Sequence, residues 1–177
     1  MKDRAELVFE GAHLVVNAMS NEDIFLFKGV AGRRRDQDDM AALVEADRGL
    51  DFDVIIEEFL AQLPMNRGQT EWELLTGAPK NHPVIAFLRA IISLPMTLPG
   101  SFTDQIEREA DRVYAEFEVI GELGDQTTVT DLTRALVSRN TVEIDSRSDV
   151  EAVLESLVEK DLVTINGETV SLNHFDS

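Results

Sequence analysis

The chain has no cysteine, so disulfide scaffolds, thiolate catalysis and cysteine-based zinc sites are excluded. Lysine is scarce: Lys2, Lys28, Lys80 and Lys160 are the only four among 16 basic residues. No apolar run is long. The longest, residues 84–99, is interrupted by Arg89, Pro95 and Pro99, short of the roughly 20 residues that a membrane helix needs. Residues 1–6 are charged and the apolar stretches after them are brief, so no secretory signal is read there. A cytoplasmic location without membrane contact is expected. The ten glycines are scattered rather than gathered into a phosphate-cradling loop. His13, His82 and His174 lie far apart and lack H-x-x-x-H or H-E-x-x-H spacing, so no metal site is expected. His82, ahead of Pro83, reads as a loop or cap residue. The sequence shows neither internal repeats nor low-complexity segments.

Acid is what the chain has in excess: 34 Asp and Glu against 16 Lys and Arg, a net charge of −18 over 177 residues. Hydrophobic residues at 44% can fill the core of one ordinary domain or two small ones. Acid excess with little lysine suits a protein working in molar salt, where repulsion is screened over roughly 3 Å and carboxylates keep the surface hydrated. The composition is therefore read as halophilic, of haloarchaeal type. The plainer alternative, an acidic mesophilic protein, fits the scarcity of lysine less well.

Residues 5–19, AELVFEGAHLVVNAM, alternate around Glu10-Gly11 and predict a β-hairpin or two short strands. Ser20 is placed to cap a helix from about residue 21, with Asp23 in the capping-box position. Ile24, Phe27, Val30 and Ala31 form its apolar stripe, and Gly32 ends or kinks it. A second helix is expected over 36–46 with Met40, Leu43 and Val44 inward. The third, LDFDVIIEEFLAQL, is capped by Asp51 or Asp53. Residues 64–83 read as a long connection with a helical turn around Trp72. A fourth helix, 84–94, ends at the Pro95, Pro99 and Gly100 cluster, the expected domain boundary.

Beyond that boundary, Thr103 is expected to cap a helix over 104–123, with Ile106, Ala110, Val113, Phe117 and Ile120 at helical spacing. Thr130-Asp131 opens a short helix through Val137, and 141–144 read as a short strand. Ser148 is expected to cap a helix with Val150, Val153, Leu154, Leu157 and Val158 inward. LVTI-NG-ETVSL carries the Asn166-Gly167 hairpin signal. Helix, helix, helix and two-stranded hairpin resemble a winged helix-turn-helix. The stretch SDVEAVLESLVEKDLVTINGETVSL is similar to the third helix and wing of such domains. The expected fold class is α+β, predominantly helical, with one module over 1–100 and a winged-helix domain over 101–177.

Positive charge collects in one place, LFKGVAGRRRDQDDM at 26–40. Lys28, then Arg33, Arg35, Asp36, Asp39 and Met40, follow a lysine and R-x-[KR]-D-x-x-D-apolar pattern. Over residues 5–62 this resembles the later motifs of the nucleotidyltransferase-like family that includes AbiEii-type toxins. The resemblance implies catalytic roles for Lys28, as a phosphate contact, and for Asp36, as a base, with Asp39 beside them. Such enzymes also carry an early G-[GS]…D-x-[DE] segment whose carboxylates hold Mg²⁺ and position the phosphates. No such segment precedes Lys28; Asp51-Phe52-Asp53 follows it, opens a helix and reads as a cap. The first module is therefore expected to be the back half of such a fold, decayed, cut or completed by a second polypeptide. Mg²⁺ and an NTP enter only in the last case; otherwise no cofactor is expected.

The same residues have a structural reading. On an uninterrupted helix Lys28, Arg35 and Asp39 would lie within about 20° of one face. Arg33, Arg34 and Arg35 would cap the preceding helix, while Asp36, Asp38 and Asp39 would favour the positive end of the next.

Residues 125–177 hold eleven acids against Arg134, Arg139, Arg147 and Lys160, a net of −7. Phosphate neutralisation dominates nucleic-acid affinity, so this balance opposes DNA binding in dilute buffer. Arg134, Arg139 and Arg147 are the only footprint for it. The expectation is a non-catalytic regulatory or interaction protein, its partners being DNA through the winged helix, another protein or a second copy. The alternative is a subunit or truncated form of a toxin-like nucleotidyltransferase.

Overall fold

The computed structural model describes residues 6–10, 15–46, 49–63, 79–124, 127–139 and 144–173. In chain order these form β1 (Glu6–Glu10), β2 (Val15–Ala18), α1 (Asn21–Ala31), α2 (Arg34–Ala46), α3 (Phe52–Gln62), a 3₁₀ turn (Pro79–Asn81), α4 (Pro83–Ile92) and α5 (Gly100–Glu122). There follow β3 (Thr127–Thr128), α6 (Val129–Arg139), α7 (Arg147–Glu159), β4 (Val163–Asn166) and β5 (Thr169–Leu172). The fold is α+β and mostly helical, with two small antiparallel sheets, β1-β2 and β3-β5-β4. Among the described residues no helix is long and apolar enough to cross a membrane. The helical turn expected around Trp72, the Glu10-Gly11 turn and most of the strand expected at 141–144 lie outside the described residues.

The chain divides into two units. One holds the described residues of Met1–Met65 with Ala86–Ile106, the other those of Asn66–Ile85 with Glu107–Ser177.

In the first unit Ser20 caps α1, its hydroxyl accepting the Asp23 N–H at 3.1 Å, and Gly32 ends the helix at φ +61°. The buried face of α1 differs from the expected stripe. It is Phe25, Leu26 and Gly29, with Asp23, while Phe27 and Val30 are exposed and Ile24 is half-buried. The cause is Gly29: a Cβ there would lie 2.2 Å from two ring carbons of Phe87, so the missing side chain is what admits the ring. Phe25 then packs edge-on against Phe52, Phe87 and Phe102, and the Phe59 ring lies 4.6 Å from Phe87, tilted by 39°. Helix α2 buries Met40, with Leu43 and Val44 half-buried. Asp51 caps α3, one carboxylate oxygen accepting the N–H groups of Asp53 and Val54.

Helix α5 starts at Gly100, a turn ahead of expectation. The N–H groups of Phe102 and Thr103 both reach the Pro99 carbonyl, and the Thr103 hydroxyl donates to the Gly100 carbonyl at 3.0 Å instead of capping.

The second unit has a core of Val119, Leu132, Leu136, Ile144, Val150, Leu154, Leu157, Leu162 and Val170, among others. Ser146, not Ser148, caps α7. Its hydroxyl accepts the Asp149 N–H while Asp149 accepts the Ser146 N–H at 2.8 Å, a complete capping box. Helix α7 turns Val150, Val153, Leu154 and Leu157 inward, but Val158 is 43% exposed, contrary to expectation. The helix ends on Asp161 at φ +60°. The Asp161 N–H donates to the Val158 carbonyl and the Leu162 N–H to the Leu157 carbonyl, the two bonds of a Schellman motif with Asp in the usual glycine position. Asn166 pairs with Thr169, so the hairpin turn is Gly167-Glu168, one residue later than the sequence signal. Gly167 takes φ +63° at the first turn position, as a type II′ turn requires. The two-residue strand β3, too short to show alternation, pairs with β5.

Candidate functional site

The cationic stretch becomes a corner between α1 and α2. The helix breaks at Gly32, so the continuous-helix geometry does not apply. Lys28 instead reaches across the break, its Nζ 3.1 Å from Asp36 Oδ1 and 2.5 Å from Asp39 Oδ2. Asp36 is buried, and its Oδ2 makes no hydrogen bond, with Arg33 Nε 3.6 Å away. The hydrogen bonds that the Lys28 ammonium donates to Asp39 and Asp36 hold its pKa above the ordinary lysine value. The Lys28 hydrogen bond holds Asp36 below the usual carboxylate range, against the effect of burial. All three residues singled out in this motif are thus brought together, while Arg34 and Arg35 are exposed.

Could these carboxylates hold Mg²⁺? Asp36 Oδ1 and Asp39 Oδ2 are both occupied by Lys28, and a cation beside an ammonium is electrostatically opposed. Among the described residues no three His, Asp or Glu side chains are gathered to hold a metal ion. The described residues do not fit the metal.

Arg134, Arg139 and Arg147 are placed differently from one another, yet each faces a carboxylate. Arg134 Nη1 is 2.7 Å from Asp131, whose pKa is lowered by the Thr128 hydroxyl and then by Arg134. Arg139 Nη1 is 2.5 Å from Glu122. Arg147 sits among Glu151 at 2.7 Å, Glu168 at 2.9 Å and the Thr130 hydroxyl at 3.3 Å. It ties the first turn of α7 to the start of α6 and to the hairpin turn. Those carboxylates, Glu151 first and then Glu168, raise its pKa, and Arg147 in turn lowers that of Glu168.

A further cluster escaped the sequence reading. Glu116, on α5, is fully buried, and both of its carboxylate oxygens hold Lys160 Nζ. The Ser156 hydroxyl donates to the same carboxylate at 2.7 Å. His82 is also buried; its Nδ1 accepts the Val84 N–H at 3.3 Å, the cap role of the two readings, loop or cap, expected of it, and its ring meets Phe117 edge-on. Burial, and then the nearby Lys160 charge, push its pKa down to about 4. The one signal for this cluster is that Glu116 falls at helical spacing from Val113 and Ile120, a polar residue on an apolar stripe.

No protein-family model, no curated protein and no solved structure gives a significant match to this chain.

Proposed function

We propose a non-catalytic regulatory or interaction protein of a halophile, in which residues 101–177 form a winged helix used for contact with protein rather than DNA. The order α5, β3, α6, α7, β4, β5 and the sheet order β3-β5-β4 support the winged-helix reading. The observation that carries the choice of partner is Arg147, held between Glu151 and Glu168. A phosphate would have to displace carboxylates already bound to the guanidinium, beside the exposed acids Glu151, Glu155 and Glu159 of the same helix. Selection of random duplexes on the immobilised chain in about 2 M KCl tests this. No sequence is expected to enrich. An enriched sequence that is lost in Arg139→Glu/Arg147→Glu replaces protein contact with DNA.

One observation favours a second reading, a component of a split nucleotidyltransferase. Lys28 and Asp36, the pair the family resemblance singles out, are in contact across a helix break. On that reading a partner chain brings the missing D-x-D, and a target is labelled from NTP and Mg²⁺ only when both chains are present. Labelling that survives Lys28→Ala contradicts it.

A further inference from the structure

Helix α1 carries an apolar stripe, Ile24, Phe27, Val30 and Ala31, at the spacing of a core-facing surface. The helix nevertheless buries its opposite side. Phe27 is 47% and Val30 37% exposed, and Met19, just ahead of the cap, is 46% exposed. The C-terminal end of this stripe runs into Arg33, 81% exposed, and into Arg34 and Arg35, also exposed. Arg34 and Arg35 occupy the first turn of α2, where the helix dipole disfavours cations. A chain of net charge −18 thus keeps two arginines in the first turn of a helix, a few residues after an exposed apolar stripe. Lys28 is not part of this surface, because its ammonium is taken up by Asp36 and Asp39, and Arg33 is shared with Asp36 at 3.6 Å, so Arg34 and Arg35 carry the positive charge of the surface.

We propose that the outer face of α1, from Met19 to Val30, with Arg33, Arg34 and Arg35 at its end, docks an acidic amphipathic helix of a partner protein. Charge complementarity selects the occupant. The apolar stripe takes the partner's hydrophobic face and the arginines take its carboxylates. Duplex DNA offers nothing to cover Phe27 and Val30. An anionic membrane plane would meet Glu22, at the other end of α1, as well as the arginines. The eleven residues of α1 match a partner helix of about three turns. The proposal concerns residues 19–35 alone and does not depend on what the second unit binds.

The test uses the full chain and a labelled synthetic helix of about 14 residues, with Leu on one face and Glu on the other. Controls are its scrambled sequence and a version with Lys for Glu. Saturable binding of the acidic helix is expected, at least about tenfold tighter than either control. Phe27→Ser/Val30→Ser is expected to abolish it, and Arg34→Glu/Arg35→Glu to weaken it about tenfold. These side chains are exposed, so the thermal melt checks that the fold is kept; if the first variant unfolds, the arginine variant decides. Equal binding of the controls, insensitivity to Arg34→Glu/Arg35→Glu, or tighter binding to phosphatidylglycerol vesicles or duplex DNA overturns the proposal. So does self-association of the chain through this face, detected by sedimentation and lost in the same variants.

Discussion

Lys28 Nζ stands 3.1 Å from Asp36 Oδ1 although a left-handed glycine, Gly32, breaks the helix between them. The contact neutralises a buried carboxylate at a corner, so its role in holding α1 against α2 is direct. Asp36 is held below its ordinary pKa and Lys28 above its own. The pair's contribution is therefore complete from pH about 4 to about 10. It is lost as pH falls through the depressed Asp36 value or rises through the elevated Lys28 value. Lys28→Met is expected to lower Tm by several degrees at pH 7. The difference from wild type should vanish in strong acid, and a difference that persists there contradicts the assignment.

His82 gives a slope of the opposite origin. Its folded pKa of about 4 lies below the ordinary histidine value, so between those pH values the unfolded chain binds the extra proton. Stability contributed by the neutral buried ring is present above pH about 6.5 and falls as pH drops toward 4. The full effect is at most about 3 kcal/mol. His82→Asn is expected to flatten this part of the stability profile relative to wild type in denaturant titrations at stepped pH. Parallel profiles for the two proteins are the contrary result.

Glu116 and Lys160 form a pair in which one partner is fully buried. Lys160→Met leaves that carboxylate with only the Ser156 hydroxyl and is expected to cost about 3 kcal/mol. Glu116→Met/Lys160→Met is expected to recover most of the loss, because the buried charge goes with its partner. Additive losses in urea unfolding contradict the pairing.

Gly29→Ala should improve helix propensity by about 1 kcal/mol on an exposed helix. Here the new methyl would stand 2.2 Å from the Phe87 ring, itself packed by Phe25, Phe59 and Phe102. A net loss of about 1–3 kcal/mol is expected, relieved in part by Phe87→Leu. A stabilised Gly29→Ala, read from the midpoint of chemical unfolding, contradicts this packing.

Local chemistry was legible where a single residue decides it. Ser20, Gly32 and Asp51 act as their types require, and the closing hairpin forms with its turn one residue beyond the Asn166-Gly167 signal. Two competing signals misled where they overlapped: Ser146-x-x-Asp149 and Ser148-x-x-Glu151 are both capping patterns, and the first wins because Asp149 also accepts the Asp145 N–H at 3.1 Å. The buried face of α1 departs from its apolar stripe because an apolar count gives glycine no weight, whereas an added Cβ at Gly29 would lie 2.2 Å from the Phe87 ring. Lys28, Asp36 and Asp39 were found together from their motif. The Glu116 and Lys160 pair was not, since 44 positions separate the two and only the fold joins them. Arg134–Asp131 and Arg147–Glu151 lie at i,i+3 and i,i+4 helical spacing and are open to sequence reading, whereas Arg139 meets Glu122 and Arg147 meets Glu168 only through tertiary contacts.

Arg134, Arg139 and Arg147 each pair with a carboxylate, and on the proposed reading none of the three is offered to phosphate. The most direct measurement of this is the fluorescence anisotropy of a labelled mixed-sequence duplex titrated with wild-type chain and with Arg139→Glu/Arg147→Glu, from about 0.2 to about 2 M KCl. The expected result is no saturable binding of either protein at any salt. Saturable binding by wild type that Arg139→Glu/Arg147→Glu abolishes would contradict the account.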